Sequence, residues 1–174
     1  YYVKSGKVKG FKVHEDGKEY ITDLFSEGDF MGYLPILEDR NYDEHAVVME
    51  NAEIVEIPAE EFIEIIYDDI SVAAKFINVL SQNVKEKEAR LLNLAYSSLR
   101  KRVARALVDI YEKFNSNDGK KILEISREDM AHYIGTASES LIRTLSDFKS
   151  EKLIEIKEGK IIIQHIDKLK NLLY

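Results

Sequence analysis

No cysteine occurs in the 174 residues. Disulfides, zinc–thiolate centres and thiolate-held iron–sulfur clusters are therefore excluded, and with them redox sensing through a thiol. No apolar run approaches the roughly 20 residues that span a bilayer, and no basic segment followed by an apolar stretch opens the chain. The expectation is a cytoplasmic protein without a membrane segment. The four histidines, His14, His45, His132 and His165, are scattered without ligand spacing, so no metal is expected, and a cupin-type metal enzyme would lack its paired histidines. A Ser-His-Asp arrangement, a glycine-rich phosphate loop and a dedicated acid pair are also missing, which predicts no enzyme activity and no cofactor. Nothing repeats at a long fixed period, and no segment is of low complexity.

What is present fits two small domains, with 45% apolar residues and only two prolines. The first residue is a tyrosine inside a strand-like run, so the chain is expected to begin mid-domain, with strands missing upstream. The formal net charge of −7 conceals opposite halves. Residues 1–96 carry 10 Lys+Arg against 20 Asp+Glu, a net of −10, whereas residues 97–174 carry 15 against 12, a net of +3. Only the C-terminal half approaches phosphates favourably.

Up to about residue 58 the sequence reads as short strands separated by turn signals at Ser5-Gly6, Asp16-Gly17 and Glu27-Gly28, which predicts an all-β roll or barrel. Asp16-Gly17 is read as a type I′ hairpin turn, with positive φ at both positions. Two further strands are expected at 46–49 and 54–57, stopped by Pro58. The period then lengthens, predicting a short helix at 60–66 and a long one at 70–95. Along the long helix Ile70, Ala73, Ile77, Leu80, Val84, Lys87, Leu91 and Leu94 recur at alternating steps of three and four, a narrow seam of the kind that meets a second copy. Packing on the chain's own roll is the plainer alternative, and Lys87 marks either a splaying of the pair or a side chain that reaches out to water. A helix follows at 98–114, with Val103, Ala106, Leu107 and Ile110 inward and Arg100, Lys101, Arg102 and Arg105 outward, and then a loop at 115–119.

Ser126 reads as an N-cap, with Glu128 and Asp129 in the first turn beneath it. The helix Met130-Ala131-His132-Tyr133-Ile134 ends at Gly135, Thr136-Ala137 turns, and a second helix runs over 138–148. Ala131 is small where the helices cross, Gly135 permits a left-handed turn, and Leu141 with Leu145 fills the space between. Ser138, Glu139, Ser140 and Arg143 are left on the exposed face near the start of the second helix, the arrangement a DNA recognition helix needs. Two strands, 152–156 and 160–163 about a turn at Lys157-Glu158-Gly159, complete a winged helix-turn-helix.

These residues resemble the C-terminal domain of Crp/Fnr regulators, in the run Ser126-Arg127-Glu128-Asp129-Met130-Ala131, then Gly135-Thr136, Glu139-Ser140 and Arg143. Gly6-Lys7-Val8, Asp16-Gly17-Lys18-Glu19 and Glu27-Gly28-Asp29-Phe30-Met31-Gly32 are similar to the β-roll of the same family. The resemblance implies an α+β chain: a double-stranded β-roll incomplete at its N-terminus over 1–68, a dimerisation helix over 69–96 and a DNA-binding domain over 97–174. It implies a homodimer on double-stranded DNA, with Ala73, Ile77, Leu80, Val84, Leu91 and Leu94 at the dimer interface and RNA polymerase as a partner. By the same likeness Glu139 and Arg143 read bases, while Ser126, Arg127, Thr136 and Ser140 hold phosphates. Ser138 stands where many members place an arginine, so the half-site should differ from the one that arginine reads.

Members that bind cyclic nucleotides carry a glutamate after the roll glycine and an Arg-Ser or Arg-Thr pair for the phosphate. Here Gly32 is followed by Tyr33-Leu34, and Asp43-Glu44 stand where the cation is needed. A cyclic nucleotide is therefore not the expected effector, whose identity is left unknown, and a cyclic-nucleotide-responsive regulator is the alternative. A further alternative is an interaction module of a larger signalling protein, because the segments 20–42 and 143–149 resemble regulators in which this module follows a receiver domain.

Overall fold

The computed structural model describes residues 1–115 and 122–173. The N-terminal roll consists of two small antiparallel sheets. In one, β1 (Tyr2–Ser5) pairs with β5 (Glu53–Val55); in the other the order is β3 (Glu19–Phe25), β2 (Val8–Val13), β4 (His45–Val48). Val3, Val8 and Met31 are buried between them, with Phe25, Ala52 and Ile54 packed on this small core.

The β2–β3 hairpin forms at Asp16-Gly17, but its turn is not type I′. Gly17 has φ 81° whereas Asp16 is not in the left-handed region. The Gly17 N–H donates to the His14 carbonyl and the His14 N–H to the Lys18 carbonyl, both at 2.8 Å. That pattern makes a three-residue loop in which only the last position needs positive φ. The two-residue turn with both φ values positive occurs instead in the wing, at Glu158 (51°) and Gly159 (78°).

A short helix, α1 (Tyr33–Leu37), was not expected from the sequence; Gly32, at φ 75°, starts it, and Pro35 is accommodated in its first turn. Pro58 precedes α2 (Ala59–Asp68), and α3 (Ile70–Tyr96) follows with the Asp69 carboxylate accepting the Ser71 N–H at 2.8 Å. None of the 27 residues of α3 is buried.

Beyond it, α4 (Leu99–Asn115) runs through the middle of the C-terminal half, burying Val103, Ala104, Ala106, Leu107, Val108 and Ile110. Most of the loop expected at 115–119 lies outside the described residues. The remaining elements are β6 (Ile122–Leu123), α5 (Arg127–Ile134), α6 (Ser138–Ser150), β7 (Ile154–Lys157), β8 (Lys160–Ile163) and α7 (Ile166–Asn171). The wing sheet has the order β6-β8-β7; neither β6 nor α7 was anticipated. The main core crosses from one half to the other, because Ile21 and Leu24 of β3 pack into the same cluster as Leu107, Met130 and Phe148.

Candidate nucleic-acid interface

Ser126 caps α5, its Oγ accepting the Asp129 N–H at 2.9 Å. Met130, Ala131 and Ile134 face inward. Gly135 sits in the left-handed region at φ 70°, and both its N–H and that of Thr136 close on the Ala131 carbonyl. A Cβ at Gly135 would come within 3.3 Å of Leu94 Cδ1, so glycine is required here both by conformation and by the approach of α3.

On α6, Leu141, Thr144, Leu145 and Phe148 are buried, and the Thr144 hydroxyl donates to the Ser140 carbonyl at 3.0 Å. Glu139 and Arg143 stand exposed one turn apart on the opposite side. Neither has a hydrogen bond or ion pair among the described residues. Thr136, Ser138 and Ser140 are half-buried beside them, and Ser126 is exposed. Arg127 is placed differently from a free surface cation. One of its terminal nitrogens, Nη2, donates to the Gly159 carbonyl of the wing turn at 3.0 Å, while Nη1 is buried without a partner. Burial also lowers the Arg127 pKa.

Of the arginines expected outward on α4, Arg100 stays at the surface in an exposed ion pair, while Arg102 is a correction. Arg102 turns inward and donates to the carbonyls of Ile134 and Gly135 at 3.3 Å each; Arg100 pairs with Glu151 at 2.5 Å and lies 4.6 Å from the Phe148 ring centroid; Arg105 lines a cavity. The reason is local: α5 ends in carbonyls without helical partners, and a guanidinium fork satisfies them. Arg90 on α3 does the same for the Tyr133 carbonyl at 3.1 Å. Sequence reasoning missed Arg90 and Arg102 as organisers of the turn, and the only signal was their charge near a helix end.

The seam on α3 is divided. Ile70, Ile77, Val84 and Leu91 are 87%, 60%, 65% and 65% exposed. The alternate set leans on the chain's own body: Leu94 lies against Gly135, and Lys87 pairs with Asp23 of β3 at 2.6 Å rather than standing in the seam.

A cavity of about 740 Å³ lies among the roll, α3 and α4, and Gly32, Tyr33, Leu34 and Glu44 line it. Asp43 does not line it; it is held at the surface between Lys12 at 2.7 Å and Arg40 at 2.9 Å, whose hydrogen bonds lower its pKa to about 2. The Tyr33 hydroxyl accepts from the Asn83 amide at 2.5 Å, and Glu44 accepts from the Thr22 hydroxyl. Two lining cations are already paired, Lys87 with Asp23 and Lys113 with Asp29 at 2.5 Å. Asp109 on α4 lines the cavity too, its pKa raised to about 6 by burial against the lowering influence of Arg105. Among the described residues no helix is long and apolar enough to cross a membrane.

A family model described as the Crp-like helix-turn-helix domain matches residues 101–172, and one described as the cyclic nucleotide-binding domain matches residues 1–69. The chain is 24% identical to the Cyclic AMP receptor protein of Thermus thermophilus over 174 residues, all of this chain and 79% of the relative. It is 26% identical to the Fumarate and nitrate reduction regulatory protein of Vibrio cholerae serotype O1 over 170 residues, 93% of this chain and 65% of the relative. Its fold superposes on the crystal structure of a CRP/FNR-family transcriptional regulator, also from Thermus thermophilus, with a TM-score of 0.82, at 23% identity, covering 99% of this chain and 86% of that one.

Proposed function

Because the chain belongs to the Crp/Fnr family of transcription regulators, with a cyclic nucleotide-binding domain at residues 1–69 and a Crp-like helix-turn-helix domain at 101–172, we propose that it works as a cytoplasmic homodimer that reads a two-fold symmetric DNA site with one α6 from each subunit. The observation that carries this reading is the pair Glu139 and Arg143, exposed one turn apart and free of partners among the described residues, on a helix whose other face is buried. A carboxylate in that position accepts from a cytosine amino group, and the guanidinium donates to a purine edge. Arg127, held to the wing turn through the Gly159 carbonyl, is read with Ser126, Thr136 and Ser140 as a contact to the DNA backbone. Ser138 reads no base as an arginine would. Dimerisation is supported by the exposed Ile70, Ile77, Val84 and Leu91, which repeat every seven residues on α3. The three functional units are the roll at 1–68, the pairing helix at 69–96 and the reading head at 97–174. Recruitment of RNA polymerase, and the absence of enzyme activity, belong to the same reading.

The effector of the roll is not a cyclic nucleotide on this view. Glu44 and Asp109 line the cavity, and two of its cations, Lys87 and Lys113, are engaged by carboxylates, which disfavours an anionic phosphate there. Calorimetric titration with cyclic AMP and cyclic GMP is expected to show no binding, and micromolar binding of either overturns this part. The DNA reading is tested with duplexes selected from a random library by the wild-type dimer. Arg143→Ala is expected to weaken specific binding by roughly 1–3 kcal/mol with the fold intact. An equal loss on every sequence would make Arg143 a phosphate contact, and no sequence preference by the wild type would refute the reading.

A further inference from the structure

Arg90 joins α3, the roll and the helix-turn-helix at a single point. Its Nη1 donates to the Thr22 carbonyl at 2.6 Å, and its Nη2 is shared among the Ile21 carbonyl at 2.9 Å, the Tyr133 carbonyl at 3.1 Å and the Tyr20 hydroxyl at 3.2 Å. The guanidinium carbon lies 4.3 Å from the Tyr133 ring centroid and 5.5 Å from that of Tyr20. The roll also grips the start of α5, where Lys9 of β2 pairs with Asp129, and Glu19 stands 3.6 Å from Nδ1 of His132 in its last turn. Helix α5 is thus tied at its start by Lys9 and at its end by Arg90, while Leu94, one turn along α3 from Arg90, abuts Gly135 in the turn. With both ends held, the reading head cannot rotate about α3 without breaking these contacts, and Glu139 and Arg143 stay exposed throughout.

We propose that Arg90 is a positioning residue: it locks the helix-turn-helix at one angle to the pairing helix and so sets the spacing between half-sites that the dimer accepts. The inference rests on the DNA-reading role proposed above. Dimeric helix-turn-helix proteins meet half-sites about one helical turn apart, roughly 34–36 Å, so a fixed angle between α3 and α6 converts directly into a fixed span. A planar fork with several donors suits this task, whereas lysine, with one ammonium on a flexible stem, keeps the charge but cannot hold two strand carbonyls and a helix end together.

The absence of cysteine makes the test direct. Lys18→Cys on the hairpin turn and Lys149→Cys on α6 take a spin label each, and the labelled protein is diluted into excess unlabelled protein so that only the distance within one chain is read. The wild-type background is expected to give one narrow distance; Arg90→Ala and Arg90→Lys should both broaden it. A distribution unchanged in both variants overturns the clasp. In parallel, library-selected duplexes are lengthened or shortened by one base pair at their centre. The wild type should prefer the original spacing, and Arg90→Lys, which keeps charge and most of the stem's packing, should lose about tenfold of that preference as pre-organisation is lost. Unchanged spacing preference overturns the assigned role. Failure of the wild type to bind any duplex selectively would refute the DNA reading and the spacing role with it, while the label distances still decide whether the clasp exists.

Discussion

In the winged half the inward side chains of α6, Leu141, Leu145 and Phe148, are fully buried among residues of α4, α5 and the wing. The long helix α3 has a comparably apolar stripe, yet none of its 27 residues is buried. The winged half buries its apolar side chains within one chain, in a core that Ile21 and Leu24 of β3 join, whereas the apolar stripe of α3 is left open. Isolated helices gain little from propensity alone and are stabilised by packing an apolar face. In the proposed dimer, a helix this long with Ile70, Ile77, Val84 and Leu91 in the open is expected to draw part of its stability from a second copy. Stability of the reading head should be independent of protein concentration, while that of α3 should rise with it.

The comparison is broken most forcefully from the winged side. Phe148→Ala removes a fully buried ring beneath Arg100 and should cost about 3–5 kcal/mol in urea denaturation; a loss below 1 kcal/mol would show that the head does not depend on its own core. On the helix side, Ile77→Asp should weaken association by about 2–4 kcal/mol, because a carboxylate is then buried in an apolar seam. Sedimentation equilibrium should find monomer with the wing still folded, and a persistent dimer would place the interface elsewhere.

Between the two regions lies Asp109, whose carboxyl burial raises to about 6 beside Arg105, Glu112, Arg90 and Glu86. A carboxyl raised in the folded state binds its proton more tightly there than in the unfolded chain. Its contribution to stability therefore falls as pH rises from about 4 through 6 and stays low above that. Asp109→Asn removes the cost, so the variant should gain up to roughly 2–3 kcal/mol over wild type at pH 7 and nothing near pH 4. An equal difference at both values would contradict burial as the cause. The smallest effect belongs to Gly135→Ala, which meets a positive φ and Leu94 at 3.3 Å and should cost about 1–2 kcal/mol. A neutral result would mean that α3 and the turn are not in firm contact.

The winged half was the legible part of the sequence because its signals are local: a serine cap at Ser126, a glycine at the αL position 135, and a 3.6-residue period from Leu141 to Phe148 all act within a few residues. The exposure of Glu139 and Arg143 on α6 follows from that period alone. What was not legible depends on partners distant in sequence. Arg102 looks like an outward cation until the end of α5, over 30 residues away, is placed beside it. Arg90 meets Thr22 and Tyr133 across gaps of 68 and 43 residues. Asp43 and Glu44 are neighbours in the chain, yet one is held by surface cations and the other lines the cavity. The elements missed, α1, β6 and α7, span five, two and six residues, too few for any period to declare itself.

The central claim is that α3 joins two reading heads, and it is tested most directly by fluorescence anisotropy on a selected palindromic duplex and on its isolated half-site, with wild type and Ile77→Asp side by side. Wild type should bind the palindrome as a dimer, far more tightly than the half-site and with affinity falling steeply as salt rises, and Ile77→Asp should erase the difference. Equal wild-type affinity for palindrome and half-site, or a preference that survives Ile77→Asp in a monomer, would contradict it.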